Sequence, residues 1–284
     1  MQLPPKSQIL HVVRAALAED IGRGDVTTLA TVPEKTPAVA KMVARENLVV
    51  SGLSLAEAAF REVSPKMRLE KFAADGQKIK RGRTLLEIKG SARGILTAER
   101  VALNFVQRLS GIATLTAQFV EAIKGTHAKI LDTRKTTPGL RLLEKYAVAC
   151  GGGQNHRIGL FDMILIKDNH LVALRNEKPN AIEAAVRRAR KKFPNLKVEV
   201  EADTAAQVRE AVDAGADIIL LDNMSLAEMR SLVKWVAGRA KLEASGNVNL
   251  KTVRAIAGTG VDFISVGAIT HSAPSVDIGL DFEF

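Results

Sequence analysis

Two short apolar runs each end in a group of charged and polar residues. The run at 129–131 leads into the segment DTRK at 132–135, and the run at 163–166 leads into KDNH at 167–170. Apolar runs of strand length that end in charge predict buried parallel strands whose ends meet at one rim. We define the cation cluster as the basic residues expected at this rim, with the histidine as a fifth cation when protonated: Arg134, Lys135, Arg157, Lys167 and His156.

Positive charges gathered in one place need an anion to balance them, so the cation cluster predicts a pocket for a negatively charged ligand. A solvated basic surface is the alternative, because charged runs usually face water. The pocket is favoured, since these charges end apolar strands and do not lie along a helix face.

Polar residues also close the later strands of the sequence. Glu201, Asp222, Ser245 and Gly267 follow apolar runs and are separated by 21, 23 and 22 residues. Each interval has the length of one strand–helix unit. The spacing therefore places all four residues at the same end of a parallel sheet, where barrel enzymes keep their active sites.

The residue types at these strand ends suit a phosphorylated sugar. Ser245, Gly246 and Asn247 lie between a strand and a helix, and Gly267 follows the last strand; glycine lets backbone amides approach a phosphate closely. Glu201 and Asp222 can bind Mg²⁺ directly or through water, or hold sugar hydroxyls. That these two carboxylates merely balance the nearby positive charge stays open as the structural alternative.

The surrounding pattern predicts two domains. Residues 1–112 mix strands and helices, including a helix that Ser7 caps, a turn-rich loop at 19–28 and a helix that Thr97 caps, and predict an α+β domain. Residues 113–272 alternate strand and helix, which predicts an α/β barrel with fewer than the usual eight strands. No Gly-x-Gly-x-x-Gly follows a strand, which disfavours a dinucleotide-binding sheet. The segment 273–284 has no helical pattern and is expected to rejoin the first domain.

Composition narrows the function classes. The chain has 284 residues, 46% hydrophobic, and a net charge of +10. Its 4% aromatic content and lack of a recognised motif argue against nucleic-acid binding. No apolar run approaches the ~20 residues of a membrane span, and the single cysteine, Cys150, forms no intrachain disulfide. These features predict a cytoplasmic protein in which Cys150 is a small buried residue; a nucleophilic role for it is the less favoured alternative.

Nine segments, in order, carry a resemblance to a known family. They are EDIGRGDVTT, TAERVALNFVQRLSGIAT, DTRKTTPGLRLLEKYAV, GGGQNHRIGLFD, LIKDNH, VEVE, DIILLDNM, EASGNV and GVDFISVGAIT, and they run from about residue 19 to the C-terminus. With these segments the chain resembles quinolinate phosphoribosyltransferase, the carboxylating nicotinate-nucleotide pyrophosphorylase of NAD biosynthesis.

The resemblance implies a fold and a reaction. The fold is an N-terminal α/β sandwich followed by an incomplete, open α/β barrel of the TIM type. The reaction is that of a pentosyltransferase: quinolinate and 5-phosphoribosyl-1-pyrophosphate give nicotinate mononucleotide, pyrophosphate and CO₂, with Mg²⁺ as the cofactor.

The resemblance also assigns roles to residues of this chain. It implies that Arg134, His156, Arg157 and Lys167 hold the quinolinate carboxylates and that Lys135 lies between quinolinate and the pyrophosphate. Glu201 and Asp222 serve the ribose hydroxyls and the metal, so that these two and Lys135 are the expected catalytic residues. The expected 5-phosphate ligands are Ser245, Gly246, Asn247 and Gly267.

The family further implies shared active sites, in which an arginine like Arg100 enters the pocket of the neighbouring subunit. We therefore expect a homodimer or a larger assembly such as a hexamer, and neither a nucleic-acid nor a membrane partner. Two alternatives stay open. One is a paralogous phosphoribosyltransferase associated with molybdenum-transport operons, and the other is a non-catalytic phosphosugar-binding protein on the same fold.

Overall fold

The computed structural model describes residues 3–283. The helices are α1 (Lys6–Ile21), α2 (Val26–Thr31), α3 (Leu53–Val63), α4 (Ala92–Ala122), α5 (Arg141–Cys150), α6 (Asp168–Val172), α7 (Ala181–Lys192), α8 (Ala205–Asp213), α9 (Leu226–Val236), α10 (Val253–Ala257) and α11 (Ala268–His271). The strands are β1 (Pro37–Ala44), β2 (Leu48–Val49), β3 (Arg68–Lys71), β4 (Lys78–Ile79), β5 (Thr84–Ser91), β6 (Lys129–Leu131), β7 (Ile164–Ile166), β8 (Val198–Ala202), β9 (Ile218–Asp222), β10 (Lys241–Ser245), β11 (Phe263–Ser265) and β12 (Ile278–Glu283).

The described chain folds into two compact units. The first contains residues 3–117, 136–152 and 269–283, and the second contains residues 118–135 and 153–268. A compact unit in space differs from an independently folding domain, so the boundary placed near residue 112 stays a prediction.

The first unit is built on an antiparallel sheet of four strands in the order β12-β1-β5-β3, and β2 pairs with β4. The buried residues of β1 and β5 supply its core, with Ala40, Met42, Leu86 and Ile88 fully buried. Strand β12 pairs with β1 along six residues, from Val39 opposite Glu283 to Ala44 opposite Ile278.

The second unit contains a six-stranded parallel sheet in the order β6-β11-β10-β9-β8-β7. Helices α7, α8, α9 and α10 connect its successive strands. Within residues 3–283, β6 and β7 are the two edges and do not pair with each other, so the barrel is open. The predicted fold class, a sandwich-like α/β unit with an incomplete barrel, is confirmed.

Local sequence signals were reliable for the barrel helices and failed near the N-terminus. Thr204 and Ser225 cap α8 and α9, and each forms a reciprocal capping box with the third helical residue. Ser7 is wrong as a cap, because α1 begins at Lys6 after Pro5. Thr97 is also wrong as a cap, because α4 already begins at Ala92.

The segment 19–28 is only partly the predicted loop. Helix α1 continues to Ile21, and α2 starts at Val26 because the Asp25 side chain accepts a hydrogen bond from the Thr28 backbone N–H at 3.0 Å. Within residues 3–283, no helix combines the length and the apolar character that crossing a lipid bilayer requires.

Candidate functional site

The carboxyl ends of the parallel strands bring most of the predicted residues to one edge. Glu201 lies in β8, Asp222 ends β9 and Ser245 ends β10, with Asp222 and Ser245 directly opposite each other in the sheet register. Lys167 immediately follows β7 at this edge, and Gly267 lies two residues beyond β11. The spacing argument from the sequence thus agrees with the order of strand ends in the sheet.

The segment at 154–157 is hydrogen-bonded alongside β6. The Gln154 backbone N–H donates to the Ile130 carbonyl at 2.8 Å, and the Asp132 backbone N–H donates to the Gln154 carbonyl at 3.1 Å. The buried Asp132 side chain then accepts the His156 backbone N–H at 2.8 Å. These bonds place His156 and Arg157 beside the strand end that carries Arg134.

The positive charge of Arg134 acts on Arg157. Burial, and then the positive charge of Arg134, lower the pKa of Arg157, whereas the charges of Glu199 and Asp162 act in the opposite direction. Like positive charges in a partly buried place attract an anion, which makes this position a candidate anion-binding site. The Arg157 guanidinium also donates to the Met163 carbonyl at 3.3 Å.

Lys167 forms an ion pair with Glu201. The lysine side chain is about half exposed, at 45%, and the Glu201 side chain is largely covered, at 13%. This pair joins the cation cluster to the carboxylates at the neighbouring strand end. Lys135 is exposed one residue after Arg134, in a turn where its backbone N–H donates to the Thr133 hydroxyl at 3.0 Å.

The loops after β9 and β10 are tied together through Asn223. Its backbone N–H donates to the Ser245 carbonyl at 3.0 Å, and its side-chain amide donates to Asp222 Oδ2 at 2.8 Å. Asn223 has φ = 53°, Gly246 has φ = 99° and Asn247 has φ = 48°, all in the left-handed region. A methyl group on Gly246 would overlap the Asn223 side-chain oxygen, so the glycine is required by space as well as by conformation.

Three remaining sequence predictions are placed as follows. Gly267 immediately precedes α11. Arg100 is exposed on α4, within the first compact unit. Cys150 is buried, and burial raises the pKa of its thiol to about 11, so that it is a neutral side chain in the core and unsuited to nucleophilic attack.

Two buried acids at this site were not predicted from the sequence. Glu199 and Glu243 have 0% and 1% exposure, and both face His156: Nε2 of the imidazole lies 2.9 Å from Glu199 Oε2 and 3.5 Å from Glu243 Oε2. Burial raises the pKa of Glu199 to about 7, and burial together with the charge of Glu199 raises the pKa of Glu243 to about 8. The signal was present, since Glu199 is two residues from Glu201 and therefore on the same face of its strand.

Glu201 and Asp222 offer the donor chemistry that Mg²⁺ prefers. Carboxylate oxygens from two adjacent strand ends can contact Mg²⁺ directly or through water, while substrate phosphates supply further oxygens. Lys167 pairs with one of these carboxylates and Asn223 donates to the other, so both side chains are oriented by neighbours at the strand-end edge.

Comparisons with known proteins cover nearly all of the chain. The model of the quinolinate phosphoribosyl transferase N-terminal domain matches residues 25–110, and that of the C-terminal domain matches residues 112–281. The chloroplastic nicotinate-nucleotide pyrophosphorylase [carboxylating] of Oryza sativa subsp. japonica is 43% identical over 98% of this chain and 79% of its own length. The probable nicotinate-nucleotide pyrophosphorylase [carboxylating] of Bacillus subtilis is 41% identical over 96% of this chain and 93% of its own.

A solved structure agrees with these sequence matches. The nicotinate-nucleotide pyrophosphorylase from Francisella tularensis superimposes with a TM-score of 0.93, is 42% identical, and covers 99% of this chain and 98% of its own. With both family domains matched in sequence order and a full-length relative superimposed, the chain belongs to the quinolinate phosphoribosyltransferase family.

Proposed function

We propose that this protein transfers the phosphoribosyl group of 5-phosphoribosyl-1-pyrophosphate to the ring nitrogen of quinolinate and releases pyrophosphate and CO₂. The product, nicotinate mononucleotide, is an intermediate of de novo NAD biosynthesis. The observation that carries the proposal is the strand-end edge itself, where Lys167 pairs with Glu201 and Asp222 lies opposite Ser245. Relatives at 41–43% identity are named as the carboxylating enzyme, which supports quinolinate over the molybdenum-operon alternative and over a non-catalytic protein.

The cation cluster accounts for substrate selection. Quinolinate carries two carboxylates, and phosphoribosyl pyrophosphate adds further negative charge. Arg134, Arg157 and Lys167 are proposed to hold the quinolinate carboxylates, and Lys135 to lie between quinolinate and the pyrophosphate. The sequence also predicted His156 for this role, but its side chain is buried and both ring nitrogens face protein groups, so it is proposed to act through Arg157. Arginine and lysine groups in a partly buried site bind such anions more strongly than they would in water.

The carboxylates account for the transfer step. As the bond from the ribose anomeric carbon to the pyrophosphate breaks, positive charge develops on the sugar, as it does in glycoside hydrolysis. Glu201 and Asp222 are proposed to stabilise that charge and to orient the ribose hydroxyls. The pyridine nitrogen then forms the new bond to the anomeric carbon with its lone pair, and no covalent enzyme intermediate is needed.

Decarboxylation follows from the charge on the ring. The alkylated pyridine is cationic, so it accepts the electron pair of the bond to the adjacent carboxylate as CO₂ leaves. A proton from solvent then takes the vacated position on the ring carbon. The cation cluster holds the remaining carboxylate, which becomes that of nicotinate mononucleotide.

Phosphate and metal binding complete the proposed site. Ser245, Gly246, Asn247 and Gly267 are proposed to bind the 5-phosphate through the loops that follow β10 and β11. Glu201 and Asp222 are proposed to hold Mg²⁺ directly or through water, and a bound Mg²⁺ would screen the pyrophosphate charge.

Assembly and location are further parts of the proposal. An exposed Arg100 on α4 supports its insertion into the pocket of a second copy, in a homodimer or a hexamer built from such dimers. A cytoplasmic location is proposed as well, supported by a lone free cysteine; the rice relative is named as chloroplastic.

Binding experiments test the site. Arg134→Ala and Lys167→Ala are each expected to weaken quinolinate binding by about tenfold to a hundredfold, since a charge-assisted hydrogen bond contributes roughly 1.5–3 kcal/mol. Arg187→Ala, which removes an exposed arginine paired with Glu183 on α7, is the control and should bind normally. Isothermal titration calorimetry checks this prediction, and unchanged affinity in either site variant would remove that residue from the pocket.

A further inference from the structure

Glu199 and Glu243 are buried acids that the proposed reaction does not use. They come from β8 and β10, and their side chains approach the same imidazole nitrogen of His156, at 2.9 and 3.5 Å. Within residues 3–283, the four carboxylate oxygens form no hydrogen bond of good geometry, and the approach of His156 Nε2 to Glu199 and Glu243 is a short electrostatic contact. Burying two carboxyl groups costs free energy, so their position beneath the strand-end edge calls for a role.

The hydrogen bonds of His156 define which proton its ring carries. Nδ1 accepts the backbone N–H of Arg157 at 2.8 Å. A neutral imidazole has one acceptor and one donor nitrogen, and an imidazolium has two donors. With Nδ1 as the acceptor, the ring is neutral and Nε2 carries the proton, on the side of the ring that lies against the two glutamates.

This tautomer argues against a metal ion at the cluster. The nitrogen of His156 and the oxygens of Glu199 and Glu243 lie within 4.8 Å of one another, close enough to surround a cation. A metal would need the lone pair of Nε2, and that position is taken by the proton. The glutamates therefore face a hydrogen-bond donor.

His156 links this buried pair to Arg157. Its backbone N–H is held by Asp132 and its Nδ1 holds the Arg157 N–H, so the ring fixes the peptide that joins residues 156 and 157. The positive charge of Arg134 repels Arg157, and the negative charge of Glu199 attracts it. An anchored ring opposes this repulsion and keeps Arg157 at the pocket.

We propose that Glu199 and Glu243 are positioning residues for quinolinate, which hold the Nε2–H of His156 and so fix the peptide that carries Arg157 in the cation cluster. The inference rests on the proposed function, because quinolinate is the ligand whose binding Arg157 is taken to control. It predicts that the acids act on quinolinate and leave phosphoribosyl pyrophosphate binding unchanged.

Paired substitutions test the proposal. Glu199→Leu removes the acceptor beside Nε2–H and is expected to raise the quinolinate Kd and KM by about 10- to 100-fold, the range found when a metal-binding histidine loses the carboxylate that orients it, with a smaller change in kcat. Glu199→Gln keeps an acceptor oxygen and should restore most of the affinity. The phosphoribosyl pyrophosphate Kd should stay within about twofold in both variants.

The matched control is Asp262→Leu. Asp262 accepts the Leu242 backbone N–H at 2.9 Å at the amino end of the same sheet, so its loss disturbs the sheet away from the pocket. We expect this variant to lose thermal stability and to keep the quinolinate Kd of the wild type.

A spectroscopic measurement covers the case in which Glu199→Leu fails to fold. In ¹⁵N-histidine-labelled wild-type protein, NMR should show His156 as the neutral Nε2–H tautomer, and Glu199→Gln should preserve that signal. An imidazolium or an Nδ1–H tautomer would overturn the proposal.

Three further outcomes would also overturn it. They are an unchanged quinolinate Kd in folded Glu199→Leu, an equal loss of affinity for both substrates, and stoichiometric Zn²⁺ or Mn²⁺ in the purified protein that disappears in Glu243→Gln. Wild-type protein that binds no quinolinate would contradict the proposed function itself, and that control separates the two failures.

Discussion

The fold strongly shifts the ionisation of Glu243. Its side chain is buried on β10, where Glu199 of β8 and His156 face it. Burial and the neighbouring carboxylate raise its pKa from the ordinary 4.5 to about 8. The folded state therefore binds this proton more tightly than the unfolded state does, and the associated stability is complete below pH 4.5 and is lost as the pH rises towards 8.

Glu243→Gln should remove that pH dependence, because the amide imitates the protonated carboxyl group. We expect wild type and variant to unfold at similar temperatures near pH 5. Near pH 8.5 the variant should be the more stable by several degrees, since each pKa unit corresponds to ~1.4 kcal/mol. Differential scanning calorimetry across this range checks the prediction.

Glu121→Gln on the exposed end of α4 is the control, with a 59% exposed side chain and no expected change in the pH profile. A Glu243→Gln profile parallel to that of the wild type would contradict the account, since Glu243 would then titrate alike in the folded and unfolded states.

The residue types allowed the rim of the site to be predicted, but not the two buried glutamates beneath it. Lys167, Glu201 and Asp222 were predicted because charge at the end of an apolar strand is conspicuous. Glu199 was not predicted, because charged residues are rarely fully buried and the alternation in VEVE indicates a strand without showing which side is buried. Both faces of a barrel strand are covered. The alternation of residue types therefore does not show on which face a buried glutamate lies.

At the scale of elements, the loops after β9 and β10 depend on each other. Asn223, Gly246 and Asn247 have positive φ, and Asn223 bonds to Asp222, to the Ser245 carbonyl and, at 3.4 Å, to the Asn247 amide. Residues held in this sparsely populated region cost free energy, which neighbouring contacts must offset. The two loops are therefore one unit, and a change in either should alter the position of the Asp222 side chain.

Gly246→Ala should separate this coupling from simple backbone strain. The added methyl overlaps the Asn223 side chain, so we expect the phosphoribosyl pyrophosphate Kd to rise by about tenfold, the loss of one charge-assisted hydrogen bond. Quinolinate binding should change little. Calorimetric titration of each substrate measures both effects.

Gly215→Ala is the matched control, because Gly215 has φ = 79° and open space around its Cβ position. Both variants share the cost of a positive φ, roughly 1–3 kcal/mol of stability, and only Gly246→Ala adds the overlap. Equal effects of the two substitutions on phosphoribosyl pyrophosphate binding would contradict a coupled pair of loops.

Element boundaries were predictable where the signal is local. The capping boxes of α8 and α9 lie within four residues of sequence, so Thr204 and Ser225 mark the start of each helix locally. Thr97 was misplaced because its hydroxyl serves a distant partner, donating to Asp25 Oδ2 at 3.1 Å from within α4. A side chain used in tertiary contact carries the same sequence signal as a cap.

At the scale of the whole molecule, the regular alternation of strand and helix predicted a barrel with fewer than eight strands, and the family resemblance implied that it is open. The path of the chain between the two units was harder to predict from the sequence. Helix α5 belongs to the first compact unit although it lies between β6 and β7 in sequence. Such an excursion depends on packing between distant segments, which periodicity does not record.

Mixed assemblies test whether the active site is shared. Arg100→Ala and Lys167→Ala should each abolish turnover, and mixing them should recover up to about a quarter of the wild-type activity, because random pairing makes half of the dimers hybrids and each hybrid has one intact pocket. Steady-state assays after subunit exchange measure the recovery. No recovery despite exchange demonstrated by native mass spectrometry would count against a shared site.

The most direct measurement is the carbon balance of the reaction. Purified protein is incubated with phosphoribosyl pyrophosphate, Mg²⁺ and quinolinate labelled with ¹³C at the carboxyl group next to the nitrogen, and nicotinate mononucleotide and CO₂ are followed by mass spectrometry, with nicotinic acid in parallel. The account predicts equimolar nicotinate mononucleotide and ¹³CO₂ from quinolinate, and no product from nicotinic acid. Product from nicotinic acid with quinolinate inert, or no product from folded protein that binds phosphoribosyl pyrophosphate, would contradict it.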